Sequence, residues 1–129
     1  MDRRERTNRK LRAELQLAQF RQDWINDLRS DLARLISITT AISGTSKVTD
    51  EKKLAILEMY EIDSRVRLRL NPFEPEAQKI QKSVICLVNA VTIGKDEEGF
   101  KAVVNFREQL ADLSSNYLKN EWDVLKENL

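Results

Sequence analysis

Histidine is absent from the chain, and with it the commonest general base and the commonest transition-metal ligand. Cysteine occurs once, at Cys86, so an intrachain disulfide is excluded and a reducing compartment is the default. The three glycines, at 44, 94 and 99, do not take the spacing of a phosphate-cradling loop. These absences predict a protein that is not an enzyme and holds no cofactor or metal. Glycine (3) and proline (2) are also too scarce for an all-β chain, which needs turn residues every 8 to 12 positions or so. The longest mostly apolar run, 84–93, has ten residues and is broken by Asn89 and Thr92, whereas a membrane-spanning helix needs about 20. The N-terminus is polar and basic, without the apolar segment of a signal peptide.

What remains is a chain 41% hydrophobic and 33% charged, a balance that suits amphipathic helices and one domain over residues 1–129. The formal net charge is only +1, so general nucleic-acid binding is not expected. The charge is unevenly placed. Positions 2–12 hold six cationic side chains against two acidic ones, and positions 96–129 hold four against eight, giving +4 and −4.

Apolar residues recur at spacings of three and four, which predicts an all-α four-helix bundle with mostly antiparallel neighbours. The first helix, about 3–42, carries one stripe of Leu11, Leu15, Ala18, Ile25, Leu28, Leu32, Leu35 and Ile36, and a second of Leu17, Phe20, Trp24, Ile38 and Ile42. No glycine or proline interrupts it before Gly44, so it is long enough to protrude past a compact bundle or to pair with another copy. Residues 43–49 form a loop that ends in a Thr49 or Asp50 cap. A second helix over about 50–70 follows, with Glu61 and Arg65, and Asp63 and Arg67, as acid-first pairs. Its last six residues, RVRLRL, alternate like an edge strand but have no visible partner strand. Asn71 is the expected cap of the third helix, with Pro72 as its first residue and Glu74 as its third. That helix runs to about Ile93 and is apolar enough to sit at the centre. Gly94 is expected to end it in a left-handed conformation. A fourth helix reaches about Glu127, with one stripe of Phe100, Val103, Leu110, Leu113, Tyr117 and Val124 and a second of Leu118, Trp122, Leu125 and Leu129.

Few residues stand out as sites. Cys86, inside VICLVNAV, reads as a small buried apolar side chain rather than a nucleophile. Asp96, Glu97 and Glu98 are adjacent and point apart on a helix, so they complement the helix dipole rather than converge on a cation. Trp24 and Trp122 lie on apolar stripes as packing residues or interface anchors. Arg3, Arg4, Arg6, Arg9 and Arg12 oppose the dipole of the helix they begin, so helix stability does not explain them. They are either a frayed, solvated leader or an electrostatic contact for a phosphate-rich partner, an anionic membrane surface, or the acidic last helix of the same or another copy. Arg65 and Arg69 share a face, with Arg67 elsewhere, so two guanidiniums could hold one anion; the alternative is ion pairing with Glu61 and Asp63.

The string FRQDWINDLRSDLARLI at 20–36, followed by LRLNPFEPE at 68–76, resembles the cytosolic part of small, mostly uncharacterised bacterial and phage membrane-anchored proteins. The resemblance covers about residues 10–80. It implies a location in the cytoplasm, at the inner face of the membrane, with the early arginines as a positive flank. No membrane segment precedes those arginines here, so the chain is expected to be either the part that follows such an anchor or a soluble relative. No catalytic or binding residues are carried over from the family. The expected function is a non-enzymatic interaction module that forms homo-oligomers or binds a protein partner. Two alternatives are a sensor of an anionic cyclic nucleotide in antiphage defence and a phage protein that interferes with a host defence protein.

Overall fold

The computed structural model describes residues 2–94 and 96–128, which form four α-helices. Each helix start carries a local reason. Helix α1 (Arg3–Ser43) begins where the Asp2 carboxylate accepts the Glu5 amide at 2.9 Å. Helix α2 (Asp50–Arg69) begins where the Thr49 hydroxyl accepts the Lys52 amide at 3.1 Å, with Asp50 and Glu51 in its first turn and Arg67 and Arg69 in its last. Helix α4 (Glu97–Glu127) begins where the Asp96 carboxylate accepts the Gly99 amide at 2.8 Å.

Helix α3 (Pro75–Ile93) starts later than its sequence suggests. Pro75, not Pro72, is its first residue, and Glu74 stands at the capping position without a side-chain cap bond. Asn71 closes the preceding turn, accepting the Phe73 amide at 3.0 Å. With two prolines three residues apart, either can occupy a first helical position. The Asn71 turn uses Pro72 and leaves that position to Pro75.

The RVRLRL stretch is helical to Arg69, because the apolar side chains at 66 and 70 are both buried. Gly94 is not left-handed: its φ is −74°. It is needed for close approach instead, since a Cβ there would lie 2.8 Å from the Gly99 Cα and 2.7 Å from the Ala90 carbonyl oxygen.

Helix α1 packs along both α2 and α4, and α3 lies chiefly along α4. The core is drawn from all four helices: Ile25 to Ile42 on α1, Met59, Ile62 and Val66 on α2, Ala77 to Val88 on α3, and Val103, Leu110, Tyr117, Leu118 and Leu125 on α4. Helix α3 is not enclosed. Ile85, Cys86 and Ile93 face outward, so Cys86 is an exposed thiol rather than a buried one; α3 is apolar on more faces than its neighbours cover. Phe100 and Val124 of the expected α4 stripe are likewise exposed, and Leu129 lies outside the described residues.

The two ends of the bundle differ. At one end the α1–α2 loop, Gly94 and Asp96 border a cavity of about 520 Å³ with Met59 and Val103 in its lining. At the other end α2 stops at Arg69, beside Trp24 of α1, while α1 continues outward for about 20 more residues, on the order of 30 Å. Helix α4 accompanies the first part of that extension, since Leu125 and Asn128 border the same crevice as Glu14, Leu17 and Ala18. The result is a four-helix body with a two-helix arm that narrows to one helix. Among the described residues no helix is long and apolar enough to cross a membrane.

Candidate interaction surface

The arm owes its existence to a helix that does not end where its neighbours do. On α1 the first fully buried apolar side chain is Ile25. Before it, Leu11 (53%), Leu15 (56%), Leu17 (57%) and Phe20 (75%) all stand largely in water, and Ala18 and Trp24 are half-buried. Large apolar side chains this numerous on one helix are ordinarily covered by another element. Arg3, Arg4, Arg6, Arg9 and Arg12 occupy the exposed tip of the arm, within the first turns of α1.

Where the arm leaves the body, polar contacts lock it in direction. The Trp24 indole N–H donates to the Arg69 carbonyl at 3.1 Å, satisfying one of the acceptors that the end of α2 leaves without an intrahelical donor. The same ring meets Tyr117 of α4 edge-on, with centroids 6.3 Å apart and planes at 66°. Tyr117 in turn donates its hydroxyl to Glu74 at 3.1 Å, tying α4 to the α2–α3 turn. Burial pushes the Tyr117 phenol well above its ordinary range, helped by the negative charges of Glu121 and Glu74. Glu121 is also raised, first by burial and then by Glu74, with Arg21 acting in the opposite direction. Trp24 is therefore the packing anchor of the arm's root.

Arg65 and Arg69 do converge on one anion, and it is Asp31 of α1. Arg65 donates through Nη2 to Asp31 Oδ1 at 3.1 Å and through Nη1 to Glu61 at 2.8 Å, while Arg69 donates through Nη1 to Asp31 Oδ2. The Asp31 side chain is only 12% exposed, and Arg69 also lies 4.0 Å from Asp27. Arg67 pairs with Asp63 at 2.8 Å, as its i,i+4 spacing suggests. Arg34 and Glu58 add a two-point bridge between α1 and α2, at 2.8 and 3.0 Å.

Trp122 is half-buried, away from the Trp24 cluster, in a shallow crevice bordered by Arg29, Ile36, Leu118 and Lys119. Asp96 serves as the α4 cap, with Glu97 and Glu98 in the first turn. In the loop-end cavity Lys52 donates to the Thr45 carbonyl at 2.7 Å, and the Tyr60 and Thr92 hydroxyls meet at 3.3 Å. Sequence reasoning missed Asp31 and the Glu74–Tyr117–Glu121 group. The signal for Asp31 was present: a carboxylate on the apolar α1 face, between Leu28 and Leu35, requires a buried partner. Compared with protein-family models, curated proteins and solved structures, the chain matches none.

Proposed function

We propose that this protein is a non-enzymatic helical interaction module that associates with further copies of itself through the protruding half of α1. The observation that carries this reading is the exposure of Leu11, Leu15, Leu17 and Phe20 on one continuous helix. Covering a Leu or Phe side chain contributes about 1.5 to 3 kcal/mol, a gain that works against the entropic cost of association. The resemblance to membrane-anchored bacterial and phage proteins supplies the setting: a cytosolic part or a soluble relative. The alternative of an anionic-nucleotide sensor draws less support, because the guanidiniums of Arg65 and Arg69 already hold Asp31.

Light scattering coupled to size exclusion tests the proposal. The expected outcome is a mass that rises above 15.0 kDa between low and high micromolar concentration, with Leu17→Ser/Phe20→Ser shifting the transition upward at least tenfold. A strict monomer throughout would remove the reading.

A further inference from the structure

One stripe of α1 changes character along its length. The positions 6, 10, 13, 17, 20, 24, 27 and 31 alternate spacings of four and three, so they line a single face. In order they are Arg6 and Lys10, then Ala13, Leu17, Phe20 and Trp24, then Asp27 and Asp31: basic, apolar, acidic. Asp31 belongs to the clamp with Arg65 and Arg69, but the Asp27 side chain is 64% exposed and only brushes Arg69, at 4.0 Å. Asp23 is exposed next to it, and across the root stand Glu74 and Glu121. The stripe is thus basic toward the tip and acidic toward the root; between them Leu17 and Phe20 are exposed, whereas Trp24 is half-buried against the body.

We propose that the occupant of this stripe is the same stripe of a second copy, running antiparallel. This rests on the self-association reading and gives it a polarity. Antiparallel pairing about a dyad between Ala13 and Phe20 buries Leu17 and Phe20 of both chains. It also sets Arg6 and Lys10 of each copy beside Asp23 and Asp27 of the other. Parallel pairing buries the same apolar area but stacks tip on tip, two segments of +4 each, and root on root. Opposite charges facing across a helix pair select orientation, and like charges reject the alternative. The antiparallel pairing is isologous, so it closes at two copies.

Disulfide trapping in the full chain decides the polarity. In a Cys86→Ser background, Arg9→Cys places a thiol at the tip and Asp23→Cys places one at the root. Under mild oxidation an equimolar mixture of the two variants is expected to yield at least ten times more covalent dimer than either variant alone. Efficient cross-linking of Arg9→Cys with itself would overturn the antiparallel arrangement while leaving self-association intact, whereas a monomer by light scattering would remove the self-association reading itself. A second pair of variants guards against a misplaced thiol: Arg6→Glu/Arg9→Glu is expected to weaken the dimer about tenfold, and mixing it with Asp23→Lys/Asp27→Lys is expected to restore a heterodimer. Failure of that rescue counts against the charge pairing. Vesicles of phosphatidylserine and phosphatidylcholine supply the remaining arm: if they sediment the protein and abolish the mixed cross-link, the tip's occupant is an anionic membrane and the proposal fails.

Discussion

The two halves of α1 have the same secondary structure and nearly the same apolar rhythm, yet opposite surroundings. From Ile25 to Ile42 the stripe is buried to within a few per cent; from Leu11 to Phe20 it stands in water. The difference does not lie in the helix but in its neighbours, since α2 ends at Arg69 and α3 begins at Pro75, level with Trp24. Helical periodicity reports which face wants cover. Chain breaks elsewhere decide which turns receive it.

Truncation should separate the halves most sharply. Leu28→Ala removes a fully buried side chain and is expected to lower unfolding free energy by about 2 to 5 kcal/mol in a denaturant melt. Phe20→Ala, read in dilute protein, is expected to stay within about 0.5 kcal/mol of wild type. A loss for Phe20→Ala as large as that for Leu28→Ala would mean that the arm is part of the body's core.

The boundary between the halves is next. Asp31→Ala leaves Arg65 and Arg69 without their shared carboxylate and is expected to cost about 2 to 3 kcal/mol, less than a fully buried ion pair because both guanidiniums reach solvent. The same melt in high salt should show the difference persisting, as Asp31 is largely shielded from ions.

The smallest effect concerns Glu121. Its folded-state pKa is raised, so the stability linked to it is fully present below the ordinary unfolded value of about 4.3 and is lost as pH rises through the folded value. Glu121→Gln should therefore be more stable than wild type at neutral pH, by a few tenths of a kcal/mol given its partial exposure, and the advantage should vanish in acid. Thermal melts of the two proteins across that range check the sign.

Much of this architecture was legible. The loop at Gly44, the break at NPFEP and the acidic start of α4 are local signals with local causes, and the four helices follow from them. The exposed thiol of Cys86 was not, because an apolar helix does not declare which of its sides a neighbour will cover. Nor was the choice of Pro75 over Pro72, which the Asn71 turn decides through a bond only three-dimensional structure displays. Among the candidate side chains, the pairing face of Arg65 and Arg69 could be read from spacing. The identity of their anion could not, since Asp31 lies 34 residues from Arg65.

Hydrogen exchange measured at several protein concentrations tests the contrast between arm and body most directly. At low micromolar concentration the amides of residues 7–18 are expected to exchange rapidly and those of 28–40 slowly. At high concentration the first group should slow at least tenfold while the second stays unchanged. Arm amides that remain equally labile at every concentration, or equally protected, would contradict the view that α1 carries a contact face awaiting its cover.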